Sequence, residues 1–312
     1  MTIRIKTKDL IYPVFVVEGK RQQQRIASFP GIYRFSVDRI VQEVEQVERL
    51  GITSVLLFGV PSTKDAQASK AFDTQGVVSL AVQAIKQRFS HMTVMTDVCL
   101  CAYTTHGHCG VIASPKRQGT TSPVKIDNDK TLAALSRMAL IHAQAGADWV
   151  APSAMAKRQV AAIRNILDTN GFTKTKIMGY SAKFASNFYG PFRHAADSAP
   201  QYGDRKGYQL DYAQSAQALQ EIKDDIDEGA DMVMVKPALS YLDIIAKAKA
   251  RARFPLATYN VSAEYALVKH GAKQGLWDER AMVFEIITAM KRAGADRIIT
   301  YHAKDIALWL KA

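Results

Sequence analysis

The 312-residue chain has no apolar run approaching the ~18 residues that a membrane-crossing helix needs. Its first residues, Met-Thr-Ile-Arg-Ile-Lys-Thr-Lys-Asp, lack the apolar block and small-residue site of a secretory leader. The expectation is a soluble, cytoplasmic chain with no membrane partner. Cysteine is scarce: there are three, at Cys99, Cys101 and Cys109. An odd number cannot pair completely, and without an export signal the thiols are expected to stay reduced and free for metal. No Gly-x-Gly-x-x-Gly follows the first strand-like segment and there is no Walker loop, so dinucleotide and nucleotide sites lose support. Acidic residues are outnumbered, 29 against 41 basic, for a formal charge of +12. Such a charge admits nucleic acid or an acidic ligand. The basic residues are nevertheless scattered: Lys20 and Arg21, Lys116 and Arg117, Lys157 and Arg158, Arg205 and Lys206, Lys291 and Arg292. With no basic arm and no basic strand interleaved with aromatics, the reading is a small anionic substrate and a solvated surface, with no nucleic acid.

What the chain does contain is one unit repeated. Residues 12–17 form a continuous apolar run of strand length, closed by Glu18 and Gly19, and residues 20–34 read as a polar loop. Val37, Ile40, Val41, Val44, Val47 and Leu50 then follow the helical period up to Gly51. Further strands are predicted at 54–60, 93–101, 149–153, 176–183, 232–236, 256–262 and 297–301. Each is followed by a helix, near 76–89, 130–145, up to 168, 215–227, 241–251, 280–292 and from about 304. Three helices end in nearly the same words, Ala-Gly-Ala-Asp at Ala145 and Ala293 and Glu-Gly-Ala-Asp at Glu228, as expected of a C-cap glycine leading into a buried strand. Eight such units favour a closed (β/α)8 TIM barrel, residues 11–312 after a short N-terminal arm of 1–10; an open doubly wound sheet is the alternative.

In a (β/α)8 barrel the chemistry collects at the C-terminal ends of the strands. Strand three ends in Asp97, Cys99 and Cys101, placed on one face by the period of two, with Cys109 brought back by a glycine turn. Cys-x-Cys-x7-Cys gives three soft ligands and no obvious fourth, the pattern of a zinc site with one open position; His106 and His108 are near enough to compete or to assist. Ser153, Ser181, Ser262 and Tyr301 end other strands. Lys183 and Lys236 each close an apolar strand, where desolvation and mutual repulsion would favour the neutral amine of an imine-forming nucleophile. A lone lysine there would more often be an ion-pair residue. Residues 189–209, with Arg193, Arg205 and Lys206, are aperiodic and suit a lid that holds a carboxylate, or else a solvated loop.

These landmarks, in order, resemble the porphobilinogen synthase (5-aminolevulinate dehydratase) family. They are Leu-Ile-Tyr-Pro-Val-Phe-Val-Val-Glu-Gly at Leu10, Pro-Gly-Ile-Tyr-Arg at Pro30, Phe-Gly-Val-Pro at Phe58, the cysteine stretch, and Tyr-Ser-Ala-Lys-Phe-Ala-Ser at Tyr180. Phe-Tyr-Gly-Pro-Phe-Arg at Phe188, Gly-Asp-Arg-Lys at Gly203, Met-Val-Lys-Pro at Met234, Val-Ser-Ala-Glu-Tyr-Ala at Val261 and Ile-Ile-Thr-Tyr at Ile298 complete the set.

The resemblance implies a lyase that condenses two molecules of 5-aminolevulinate to porphobilinogen, with loss of two waters, in tetrapyrrole and haem synthesis. It implies that Lys236 holds one substrate, with Ser262 and Tyr301 on its carboxylate. Lys183 would hold the other, its carboxylate meeting Arg193, Arg205 and Gln209. Asp97 and Ser153 match polar residues beside that second site, and Cys99, Cys101 and Cys109 match the ligands of a catalytic zinc. Glu221 matches a position that binds an allosteric magnesium between subunits in some bacterial relatives. A homo-oligomer is implied, smaller than the usual octamer if the arm is short. Where the family pattern reads Ser-Asp-Met-Met-Asp-Gly-Arg-Val, this chain has Ser153-Ala154-Met155-Ala156-Lys157-Arg158-Gln159-Val160. Gly207 stands where some relatives carry a further cysteine, which argues against a second zinc on His108.

Overall fold

All eight residues of the first strand, β1 (Leu10–Val17), are buried, because it has neighbours on both edges and is covered on both faces. The computed structural model describes residues 3–113, 124–251 and 253–312; the basic pair Lys116 and Arg117 lies outside them. After β1 come β2 (Gln23–Arg25) and β3 (Tyr33–Ser36), an antiparallel hairpin where a loop was expected. Arg34 of β3 lies opposite Phe15, so the hairpin extends the C-terminal half of β1.

The barrel continues through α1 (Val37–Arg49), β4 (Ser54–Val60), α2 (Val77–Arg88), β5 (Thr93–Val98), α3 (Asn128–Gln144), β6 (Trp149–Pro152), α4 (Gln159–Thr169) and β7 (Lys176–Lys183). Then come α5 (Gly190–Ala195), α6 (Ser215–Asp227), β8 (Met232–Lys236), α7 (Leu242–Arg251), β9 (Leu256–Asn260), α8 (Ser262–Lys273), α9 (Glu279–Ala293), β10 (Arg297–Thr300) and α10 (Ala303–Trp309). The strands pair in parallel in the order β1, β4, β5, β6, β7, β8, β9, β10, and β10 returns to β1 through Leu10 opposite Ile298. The (β/α)8 expectation therefore holds, and the open sheet is excluded.

The repeated Ala-Asp words do more than cap helices. Gly146, Gly229 and Gly294 do sit at positive φ, as helix stops must. The aspartate that follows each then accepts an N–H from the start of the preceding strand: Asp148 from Val94, Asp231 from Ile177 and Asp296 from Leu256, each at 2.8 Å. One short word thus ends a helix and pins two adjacent strands at the bottom of the barrel.

Two expected elements differ. β5 stops at Val98, because its partner β6 ends at Pro152, so Cys99 and Cys101 belong to the turn beyond and not to the strand. The predicted strand at 256–262 ends at Asn260, and α8 starts at once. Gly271 lies inside α8, where a Cβ would stand 1.9 Å from the Trp277 ring.

Candidate active site

Met232, Met234 and Lys236 alternate along β8, so Lys236 continues the inward-facing row. Strict alternation on β7 would send Lys183 the other way, since Met178 and Tyr180 face inward. A one-residue bulge prevents this. Gly179 lies opposite Val233 and Ala182 opposite Val235, three steps against two, which sets Lys183 directly across from Lys236. Both lysines are buried. Ser181, on the other side of the bulge, faces outward toward Asp225 of α6, so it does not join the strand-end cluster as expected.

Lys236 sits among aromatic faces. Its Nζ lies 4.2 Å from the Tyr259 centroid, 4.9 Å from that of Tyr180, 5.1 Å from Phe192 and 5.3 Å from Tyr189. Burial, helped by the neighbouring Lys183 charge, lowers its pKa to about 7 despite Asp97 and the nearby Cys101 and Cys99. Burial likewise raises Asp97 to about 6, against the pull of Lys183, a hydrogen bond with Ser153, and Lys236. The Lys183 ammonium donates to the Ser153 carbonyl. Lys183, Lys236, Asp97 and Ser153 therefore form one polar group in the barrel mouth.

Two sets of polar atoms flank it. Tyr301 and Tyr259 share a hydroxyl hydrogen bond of 2.9 Å, and Ser262 opens α8, donating to the Phe188 carbonyl at 3.1 Å. On the other side the 189–209 segment closes over the mouth. Phe192 of α5 packs 5.1 Å from Phe58, and Arg34 donates to the Ala195 carbonyl at 2.6 Å. Arg205 donates to Gly107 at 2.8 Å and to Ser198 at 2.5 Å. Buried within this lid, Arg193 Nε, Arg205 Nε and both polar atoms of the Gln209 amide have no hydrogen-bond partner among the described residues. Unpartnered buried donors on two guanidiniums and a carboxamide are what an incoming carboxylate would satisfy.

Cys99, Cys101 and Cys109 are all buried and free, with their sulfur atoms within 4.8 Å of one another and Cys99 to Cys101 at 3.3 Å. Bonds from the Cys101 and Cys99 thiols, then the Arg205 charge, hold the Cys109 thiol well below its usual range, while Cys99 is raised. Three converging thiols in a reduced, buried turn fit a soft tetrahedral ion such as zinc with one position left open.

The match extends beyond geometry. The family model described as Delta-aminolevulinic acid dehydratase covers residues 1–309. The delta-aminolevulinic acid dehydratase of Synechococcus elongatus is 49% identical over 98% of this chain and 92% of its own. That of Methanothermobacter thermautotrophicus is 50% identical over 97% and 90%. The chain belongs to the delta-aminolevulinic acid dehydratase family. As a member it is a lyase. The crystal structure of the Toxoplasma gondii enzyme of this family, described as a complex with the reaction product porphobilinogen, superposes with a TM-score of 0.93 at 40% identity, covering 98% of this chain and 86% of that one.

Within this dehydratase fold the remaining candidates scatter. His108 is committed to Tyr208 and to the Tyr202 carbonyl, at 3.1 and 2.9 Å, so it buttresses the cysteine turn from behind. Glu221 is half-buried on α6, away from the barrel mouth, with Lys157 among the charges facing it. Tyr259 and Tyr208 went unremarked in the sequence. The inward row Ala257, Tyr259 on β9 marks Tyr259 by period alone, whereas nothing local marks Tyr208, which meets Cys109 across 99 residues. Among the described residues no helix is long and apolar enough to cross a membrane.

Proposed function

We propose that this chain condenses two molecules of 5-aminolevulinate to porphobilinogen, holding one on Lys236 and the other on Lys183 as imines. The observation that carries the reading is the in-register lysine pair, with Lys236 lowered to about 7. A neutral amine attacks a ketone carbon, and loss of water leaves an iminium that draws electrons from the adjacent carbons. Two such imines, each formed with loss of one water, allow C–C and C–N bonds to form between acids of like charge, the two lysine amines leaving as the product forms. Tyr301 and Ser262 suit the carboxylate of the substrate on Lys236. Arg193, Arg205 and Gln209, with their unpartnered atoms, suit that of the substrate on Lys183. Asp97, raised by burial to about 6 and hydrogen-bonded to Ser153, is placed to accept and return the protons that ring closure releases.

Cys99, Cys101 and Cys109 would hold a zinc ion, which when bound supplies a Lewis acid at its open position for the second substrate. Assembly as a homo-oligomer in the cytoplasm, with magnesium at Glu221, belongs to the same reading, supported by the position and partial burial of that carboxylate.

The test is product formation from 5-aminolevulinate, with borohydride added to the protein and substrate. Borohydride reduces an imine to a stable amine, so the expected result is a mass increment on the peptide bearing Lys236. Turnover without any trapped adduct would sink the imine assignment, and activity indifferent to chelators would sink the zinc.

A further inference from the structure

Behind the cysteine turn, a cavity of about 490 Å³ opens between α3, the loop that joins β4 to α2, and the lid. That is the size of a small-molecule pocket. Its walls are apolar and aromatic: Phe72 from the loop, Val111 and Ile112 from the segment that follows Cys109, Ala134 from α3 and Tyr202 from the lid. Neither lysine of the barrel mouth, no cysteine and neither lid arginine lines it, so it is separate from the active centre.

The charges that border it are of one sign. Lys130 and Arg137 stand two turns apart on one face of α3, and among the described residues no carboxylate lines the cavity. Lys130 has Asp127 at 3.1 Å within its own turn. The Arg137 guanidinium lies 4.8 Å from the Phe72 ring centroid and meets no carboxylate among the described residues, so its N–H donors remain open to an anion. Such a pocket repels a cation, and a neutral apolar molecule would leave Arg137 unanswered. The same charges disfavour the chain's own residues 114–123 as occupant, since these include Lys116 and Arg117 and no acid. The one buried wall residue is His106, 8% exposed, whose Nδ1 accepts the His108 N–H at 3.0 Å and whose carbonyl accepts the Gln201 N–H at 3.1 Å. The cavity therefore lies on the seam where the lid is hydrogen-bonded to the cysteine turn, and an occupant against His106 and Tyr202 touches both sides of it.

We infer that this cavity is a second ligand site, which takes a small aromatic carboxylate or sulfonate with its ring among Phe72, Ile112 and Tyr202 and its charge on Arg137 and Lys130, and that the occupant holds the lid against the cysteine turn.

The probe is 8-anilinonaphthalene-1-sulfonate, an aromatic sulfonate whose emission rises in apolar surroundings. It should bind the full-length protein saturably, one per chain. Arg137→Glu, at an exposed position, should weaken binding about tenfold or more, the loss of a hydrogen bond to a charged group. Ala134→Trp should fill the cavity and abolish binding, and thermal melting of both variants checks that they are folded. With the probe at roughly tenfold its Kd, amide exchange in the lid peptide bearing Gln201 should slow about tenfold in the wild type and stay unchanged in Ala134→Trp. Absence of saturable binding, affinity unmoved by Arg137→Glu, or lid exchange that the probe does not slow overturns the proposal. So does a crystal structure of the complex that shows the dye elsewhere or residues 114–123 in the cavity.

Discussion

Lys183 lies directly opposite Lys236 only because β7 carries one residue more than β8 between Gly179 and Ala182. The bulge converts a sequence position that alternation would turn outward into half of a paired site. Proximity has a chemical consequence, since the charge of Lys183 is the second cause, after burial, of the lowered Lys236 pKa. Lys183→Met should therefore move the pH at which Lys236 becomes reactive upward from about 7, besides stopping turnover. The pH dependence of borohydride trapping on Lys236 reads this directly; an unmoved midpoint would mean that burial alone sets the pKa.

The acid limb of the pH profile should be steeper than one proton. Below about 7 Lys236 is an ammonium and cannot attack, and below about 6 Asp97 is protonated and cannot accept. Activity is present above both values and lost as pH falls through them. The slope of log kcat/KM against pH should approach two below pH 6, with the two steps belonging to the coupled pair. Asp97→Asn should lower kcat by about 100-fold or more and leave a slope of one. A wild-type slope of one throughout would remove Asp97 from the proton path.

Cysteine variants should separate metal from imine. Cys109→Ala removes one of the three converging sulfur ligands, so bound zinc per chain and turnover should fall together. Trapping of the first substrate on Lys236 should persist, because no cysteine lies in the aromatic surround of that amine. Metal analysis beside the borohydride experiment checks both halves. Loss of trapping in a folded Cys109→Ala protein would tie the thiols to imine formation itself.

The barrel and its eight strands were legible because each rests on a local signal: buried β-rich runs, helical period, glycine stops. Lys183 shows where locality ends. Its position at a strand end is in the sequence, but its direction depends on a register shift against β8, which no periodicity within β7 reports. The same limit put Cys99 and Cys101 on a strand, since the length of β5 is set by Pro152 of a different strand, 54 residues beyond Val98 in the chain. α8, which no expected element covered, carries Gly271 in its interior, where a Cβ would meet the Trp277 ring. Asp148, Asp231 and Asp296 were visible as a repeated word, yet their bonds to the preceding strands appear only in three dimensions.

Gln209 offers the cleanest probe of the lid, because it is buried while both ends of its amide lack a partner among the described residues. Arg205 is less clean, since it also ties Gly107 to Ser198 and its loss would loosen the cysteine turn. Removing a carboxamide that bonds nothing leaves no orphaned partner behind, so Gln209→Ala should change the folding free energy by only about 1 kcal/mol, mainly through lost packing. If the amide is there to meet a substrate carboxylate, KM for 5-aminolevulinate should rise about tenfold, the equivalent of one hydrogen bond to a charged group. Stability by denaturant titration and KM measured on the same preparation make the comparison. An unchanged KM would place the carboxylate on the two arginines alone, and a large loss of stability would make Gln209 a packing residue whose amide is hydrated in the free enzyme.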